Sequence, residues 1–461
     1  MTADIEQYLG KRVHMVGIGG SSMSGLALLM KHKGYIVSGS DNYDKAVIRA
    51  LRDDGVPVHI GHRPENVRDA DLLVYSAAIH EDNPERMEAK RLGIPQMERS
   101  TLLGMLMRGY QQTVCVSGTH GKTTTSAMIA QTLMGAGLSP TVHLGGEFRY
   151  IGGSTYIGKD DLFVAEACEF NASFLQMRPT IAVVLNIGED HLDYYRDIDH
   201  ITETFEQFVS LVPKDGYCIG NGDDDLVYQL MRRAHCQTLS YGQNPRNQLQ
   251  PENLRFSETG NATFDAVFRG DRIAHVNLLV AGDFNMRNAL AAIACAFVLR
   301  VDLQKGAESL GSFTGVDRRF EYTGTVAGVR LFHDYGHNPV EMRGALSMAK
   351  KQPHNRLWAV MQPHTYSRVK RLFSEYIHCC EDADEVLITD IYAAREKDPG
   401  DIKSVMLVDA IKKTGRRIHL TPTFDDTEAY LRAHWQPGDL VLTMGCGNIN
   451  ELNIQIQKNG S

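Results

Sequence analysis

The chain has 461 residues, 43% hydrophobic and 23% charged, the balance of a soluble globular protein too long for one ordinary core. Its net charge of -8 offers no basic field for nucleic acid or an anionic membrane surface. No apolar run approaches the ~18 residues of a membrane span. The opening Met-Thr-Ala-Asp-Ile-Glu lacks the basic-then-apolar order of a secretory leader, so a cytoplasmic protein is expected.

In chain order, short β-branched runs alternate three times with longer amphipathic stretches, the rhythm of parallel α/β domains. The first block predicts strands at Val13–Ile18, Ile36–Ser40 and Leu72–Ser76. The second predicts strands at Thr113–Ser117, Leu162–Ala165, Ile181–Asn186 and Tyr217–Asn221, then a polar excursion over Gln243–Asn261 and a closing helix over Asn285–Leu299. The third predicts strands at Val329–His333, Leu357–Gln362, Glu385–Thr389 and Leu440–Met444. The expected fold is α/β with three domains at 1–106, 107–320 and 321–461. Eight cysteines show no metal-type spacing, and adjacent Cys379 and Cys380 read as a plain helical pair in a reduced protein.

The strand Thr113–Ser117 runs into Gly118, Thr119, His120, Gly121, Lys122, Thr123 and Thr124, and a helix follows to about Leu133. Glycines let backbone N–H groups converge on phosphate oxygens, and a helix N-terminus adds partial positive charge. Lys122 is placed to reach the β- and γ-phosphates, and the Thr123 hydroxyl to hold Mg²⁺. The loop is a short variant, with Val116 where the generic pattern has its first glycine. Two further strands end in polar clusters: Glu166-Ala-Cys168-Glu169, and Asn186 followed by Asp190, His191 and Asp193. Carboxylates at the C-terminal ends of parallel strands suit Mg²⁺ beside nucleotide phosphates; zinc would require a softer set of three protein ligands.

Together with Gly282-Asp-Phe-Asn285-Met-Arg-Asn288, Gly315-Val-Asp-Arg-Arg319, Asp334-Tyr335-Gly-His337 and Gln362-Pro-His-Thr-Tyr-Ser-Arg368, these motifs resemble the Mur ligase superfamily over nearly the whole chain. The resemblance implies a Rossmann-like N-terminal domain binding a UDP-sugar, a central phosphate-loop ATPase-like domain, and a C-terminal Rossmann-like domain that holds an incoming amino acid. Within the superfamily the pattern most resembles the branch that uses ATP to join L-alanine to the lactyl carboxylate of UDP-N-acetylmuramate through an acyl phosphate, as a monomer or homodimer. A recycling ligase that attaches a preformed tripeptide to the same sugar shares most of these motifs.

The resemblance assigns Lys122, His191, Arg319 and His337 to catalysis, and Thr123, Glu166 and His191 to magnesium. ATP would be held by residues 118–124 with Asn285, Asn288, Arg319 and Asp334. Tyr335, His337 and Arg368 would hold the amino acid. Either His337 or His191 could assist loss of the amine proton. Two departures from the family pattern stand out, Ser22 at a usual glycine and Cys168 at a usual aspartate.

The first loop, Gly17-Ile-Gly19-Gly20-Ser21-Ser22, with Asp41 downstream, imitates a dinucleotide fingerprint. Ser22 breaks that pattern, and a nicotinamide enzyme would leave the second loop unexplained. A bare NTP-driven switch would leave the first loop unexplained. Gly17, Gly19, Gly20 and Ser21, with Asp41 and Ser76, are therefore expected to hold the UDP end of the sugar.

Overall fold

The computed structural model describes residues 5–191, 194–394 and 396–460; Asp193, from the cluster that follows Asn186, lies outside them. The first sheet contains β1 (Arg12–Val16), β2 (Ile36–Asp41), β3 (Val58–Ile60), β4 (Leu72–Tyr75) and β5 (Gln96–Glu98) in the order 3-2-1-4-5. All four pairings are parallel. Val13, Met15, Leu72, Leu73 and Val74 are fully buried because helices cover both faces of such a sheet. Those helices are α1 (Ser21–His32), α2 (Ala46–Asp53), α3 (Pro84–Leu92) and α4 (Arg99–Met107). Asn83 caps α3 by accepting from the amides of Glu85 and Arg86, Pro84 opens it, and Gly93 ends it at φ 72°. The order reverses between β2-β1 and β4, so the loop after β1 opens at the topological switch point.

The second sheet has ten strands: β6 (Gln112–Ser117), β7 (Thr141–Phe148), β8 (Gly153–Tyr156), β9 (Leu162–Glu166), β10 (Ile181–Val184), β11 (Tyr217–Asn221), β12 (Gln237–Tyr241), β13 (Leu249–Phe256), β14 (Asn261–Phe268) and β15 (Asp271–Ala281). Their order is 15-14-13-12-11-10-6-9-7-8, which places β6 centrally with β9 and β10 as its parallel neighbours. Helix α5 (Lys122–Gly135) follows β6 directly. The polar excursion is larger than its sequence suggested. Residues 249–281 form three strands, with β14 and β15 joined by Arg269-Gly270, both at positive φ as a tight hairpin turn demands. The β7–β8 pair was also unforeseen; it is antiparallel and packs β7 alongside β9.

The third sheet holds β16 (Glu321–Val326), β17 (Val329–Asp334), β18 (Leu357–Met361), β19 (Glu385–Ile388), β20 (Ile418–Leu420) and β21 (Leu440–Met444), in the order 16-17-21-18-19-20. Only β16 runs antiparallel to its neighbour. Cys379 and Cys380 are buried free thiols with sulfurs 3.5 Å apart.

The chain divides into two compact units. The first comprises Met1–Leu254, Phe264–Asn277 and Met286–Phe313, and carries the first sheet and most of the second; the other comprises Arg255–Thr263, Leu278–Asn285 and Thr314–Ser461. Among the described residues no helix is long and apolar enough to cross a membrane.

Candidate active site

Three strand ends of the first sheet converge on the loop after β1. Gly17 turns at φ 78°, and its amide and that of Ile18 donate to the Ser40 carbonyl at 2.8 and 3.1 Å. Asp41 closes the loop from β2, accepting from the Gly19 amide at 3.0 Å and the Tyr43 amide at 3.2 Å. A side chain at Gly19 would place its Cβ 2.8 Å from the Asp41 carboxylate and 2.9 Å from Ile48 Cδ1. Ser76 at the end of β4 borders Gly17 and accepts from the Ala78 amide at 3.2 Å. Gly20, the N-cap of α1, supplies no side-chain cap, so the first-turn amides keep their anion-binding character. Gly17, Gly19, Gly20, Ser21, Asp41 and Ser76 thus lie at one end of the first sheet.

The loop after β6 is clamped mainly from β10. The Thr119 amide donates to the Asn186 carbonyl at 3.1 Å. The Asn186 side chain pairs with the His120 backbone in both directions, at 2.8 and 3.0 Å. The Thr119 hydroxyl accepts from the Gly188 amide at 2.9 Å. Gly118, at φ 144°, leaves no room for a side chain, whose Cβ would lie 2.9 Å from Leu185 Cβ. Gly121, at φ 89°, is the N-cap of α5, and a Cβ added there would lie 3.4 Å from Asn288 Oδ1. Thr124 follows in the first turn of α5. Asn186 had no role assigned from sequence. Its signal was faint, a single asparagine at the end of an apolar strand.

Lys122 folds back over this loop. Its ammonium donates to the carbonyls of Gly118 at 2.6 Å and Thr119 at 3.1 Å, and to Glu169 Oε1 at 3.0 Å. Burial opposes the charge on Lys122, but Glu169 and, less strongly, Cys168 and Glu166 outweigh it, so the ammonium is held more firmly than usual. Glu169, read from sequence only as one of the strand-end carboxylates suited to Mg²⁺, is therefore the countercharge of the loop lysine. His191 Nε2 lies 3.7 Å from the same carboxylate and 3.9 Å from Asp190, on a backbone at φ 52°. Thr123 donates to Glu166 Oε2 at 3.1 Å, and Glu166 Oε1 accepts from the Gly145 amide at 2.6 Å.

The expected magnesium trio is thus brought together in part. Thr123 and Glu166 touch, whereas His191 packs against Glu169 and Asp190. Among the described residues no three His, Cys, Asp or Glu side chains form a metal cluster. A hydroxyl and a carboxylate in contact below a phosphate loop are nevertheless a hard-oxygen pair suited to Mg²⁺, which keeps waters and phosphate oxygens as its other ligands.

Asn285 and Asn288 lie three residues apart on the helix Asp283–Val298, and so on one face of it; Asn285 donates to the Ala281 carbonyl at 2.7 Å.

In the other unit, the end of β17 organises a second polar surface. Buried Asp334 accepts from the amides of Gly336 and Phe320 at 2.7 and 2.8 Å. Burial pushes its carboxyl up, against the pull of nearby Arg319. Arg319 lies over the Tyr335 ring at 5.0 Å, and Arg318 over the same ring at 4.8 Å. Tyr335 meets His337 edge-on at 5.8 Å, and His337 meets His364 at 5.7 Å. His364 Nδ1 then accepts from Arg368 at 3.0 Å. Arg319, Asp334, Tyr335, His337 and Arg368 therefore form one continuous patch, although motifs up to 49 positions apart supply them. The buried Nε of Arg368 has no hydrogen-bond partner among the described residues. Sequence reading missed His364 and Arg318; the latter donates to His333 at 3.2 Å and to the Gly447 carbonyl at 2.9 Å.

Three family descriptions match the chain in succession: the Mur ligase family catalytic domain over residues 12–111, the Mur ligase middle domain over 116–296, and the Mur ligase glutamate ligase domain over 318–447. A UDP-N-acetylmuramate–L-alanine ligase of Caldanaerobacter subterraneus is 45% identical, covering 98% of each chain. The crystal structure of a UDP-N-acetylmuramate–alanine ligase from Thermotoga maritima superposes with a TM-score of 0.82 at 27% identity, covering 97% of this chain and 99% of that one. A murein peptide ligase from Psychrobacter arcticus shares the fold, with a TM-score of 0.76 at 24% identity over 97% and 98% of the two chains.

Proposed function

Because this chain belongs to the Mur ligase family, whose members are ATP-dependent ligases, we propose that it joins L-alanine to the lactyl carboxylate of UDP-N-acetylmuramate in the cytoplasm, with ATP cleaved to ADP and phosphate. The observation that carries the choice of substrates is the 45% identity, across 98% of both chains, to a ligase of that name. The polar geometry supports the same chemistry. Residues 1–106 would bind the UDP-sugar, 107–320 ATP, and 321–461 the amino acid.

A carboxylate is a poor electrophile, so the sugar's carboxylate must first attack the γ-phosphate to give an acyl phosphate. Two anions approach in that step. Lys122, released from Glu169, and Arg319 would neutralise the charge developing between them. Thr123 and Glu166 are the residues fitted to hold Mg²⁺, with His191 nearby through Glu169. When bound, that ion would supply Lewis-acid neutralisation of phosphate charge. The amine of alanine then attacks the acyl carbon, phosphate leaves, and the amine gives up a proton. His337 or His191 would receive it; His337 Nδ1 is 3.2 Å from the Tyr335 carbonyl and 3.4 Å from Glu341, and its ring meets His364, the partner of Arg368. Arg368, with its unused Nε, would hold the alanine carboxylate. Asn285, Asn288 and Asp334 would hold the adenosine part of ATP.

The test is ADP release with UDP-N-acetylmuramate and, in turn, L-alanine, glycine, L-serine or the tripeptide. L-alanine should stimulate most. Stimulation by the tripeptide and not by L-alanine would overturn the assignment in favour of a recycling ligase.

A further inference from the structure

Arg99 opens helix α4 and belongs to none of the motifs above. It is half-buried, yet among the described residues no carboxylate faces it, and its one hydrogen bond runs from Nη1 to Ser22 Oγ at 3.0 Å. A guanidinium has five N–H donors, and burying its charge without a counterion is costly. Such an arrangement is stable in the free protein only because water reaches it, and it favours any anion that replaces that water.

Its surroundings say which anion. Ser22 lies in the first turn of α1, directly after the glycine loop, and its hydroxyl also meets His143 Nε2 at 2.8 Å. His143 Nδ1 in turn meets Thr155 Oγ1 at 2.9 Å. Arg99 can only donate, so Ser22 accepts from it, and the Ser22 hydroxyl and the His143 ring complete a hydrogen-bond chain to Thr155. Burial, assisted by Arg99, holds the His143 pKa down at about 3, so the ring is neutral at pH 7. Arg99 is therefore the one charge of this cluster. The packing is close, since a Cβ on Gly25 would stand 1.9 Å from Thr155 Oγ1 and 3.2 Å from His143 Nδ1. Arg99 also acts electrostatically on the Cys168 thiol, next to Glu169, behind larger effects from burial, Glu169 and Lys122. Arg99 thus reaches the first turn after the glycine loop through Ser22, and its charge is felt at Cys168, next in sequence to Glu169.

We infer that Arg99 receives an anionic group of the UDP-sugar, held toward it by the Ser22–His143–Thr155 hydrogen-bond chain. The anion is either the diphosphate or the lactyl carboxylate on its way to the γ-phosphate. Ser22, where relatives of this superfamily often carry glycine, becomes the positioning residue for that arginine. The inference rests on the UDP-sugar reading of the first loop.

Calorimetric titration of the full chain with UDP-N-acetylmuramate, UDP-N-acetylglucosamine and Mg-ATP tests it. The second sugar lacks the lactyl carboxylate. Arg99→Gln should weaken UDP-N-acetylmuramate binding by about tenfold or more and leave Mg-ATP within about twofold, as expected for a lost charge-assisted hydrogen bond. Arg99→Lys should fall between the two, and Ser22→Ala should show a smaller loss in the same ligand only. An equal loss for UDP-N-acetylglucosamine identifies the diphosphate, and a loss confined to UDP-N-acetylmuramate identifies the carboxylate; both support the inference. Unchanged sugar affinity in Arg99→Gln overturns it while the substrate reading stands. Loss of Mg-ATP binding in both arginine variants also overturns it, because the role would then be structural. A wild-type chain that binds neither sugar overturns both readings.

Discussion

The ion pair between Lys122 and Glu169 makes the sharpest prediction about how this loop handles nucleotide. Glu169 is 3% exposed, and its partner ammonium is 16% exposed. Replacing Glu169 with Gln keeps the shape and one acceptor but leaves a buried ammonium without its main countercharge. Breaking a buried pair from one side costs ~3–5 kcal/mol. Lys122 retains the Gly118 and Thr119 carbonyls, so the lower edge, about 3 kcal/mol, applies to the nucleotide-free protein. For a chain of this size that is roughly 6 °C in melting temperature, at about 2 °C per kcal/mol. A bound triphosphate would supply the missing negative charge, and Lys122 would no longer have to leave a carboxylate to reach it. Glu169→Gln should therefore melt earlier than wild type without nucleotide and gain more from saturating Mg-ATP than wild type gains. Thermal unfolding followed by near-UV circular dichroism, with and without Mg-ATP, measures both quantities. An equal deficit in the two conditions would refute the argument, because Glu169 would then be a packing residue and not the resting partner of the loop lysine.

Three further outcomes are expected. Lys122→Ala should lower turnover by at least about a thousandfold, as loss of a charge on the transferring phosphoryl group does, while calorimetric affinity for UDP-N-acetylmuramate stays near wild type. Asn186→Ala removes both hydrogen bonds to the His120 backbone, and on the order of 1–3 kcal/mol of lost loop order should raise the KM for ATP about tenfold in steady-state assays. Stability should fall as pH drops below about 6.5, because unfolded histidine takes up a proton there while buried His143 and His333 resist until about pH 3. Each contributes a loss of about 2 kcal/mol by pH 5. Below about pH 4.5 Glu85 adds to the fall. Its carboxyl is buried, which by itself would raise its pKa, but nearby His14 and hydrogen bonds from His62, Ser40 and Asn66 hold it well below the ordinary range. Urea midpoints at pH 7.5 and 5 should differ less in His143→Gln than in wild type.

Much of this was legible from the linear chain because the physics is local. A phosphate loop is a strand, a glycine turn and a helix start within a dozen residues, so Gly118–Thr124 could be read directly. The strands that are apolar on both faces could be read for the same reason, and their ends carry Glu166, Asn186, Asp334 and Ser76. Residues 249–281 were harder: Gln243–Asn261 is polar and rich in Asn and Arg, so composition argued for loops and only a small antiparallel excursion, while pairing extended three strands to Ala281. The short β5, three residues long, carries too little pattern to be seen at all.

What only the tertiary structure decided is which charges meet. Glu169 stands 47 positions from Lys122, His143 stands 121 from Ser22, and Arg99 stands 77 from Ser22. No periodicity links such pairs, since their distance is set by sheet order and helix packing and not by spacing along the chain. Sequence alone therefore determined that the chain has a phosphate loop, three parallel-rich blocks and the chemistry of a ligase. The fold decided that the loop lysine rests on Glu169, that His191 sides with that carboxylate and not with Thr123, and that Arg99 meets Ser22 just after the first glycine loop.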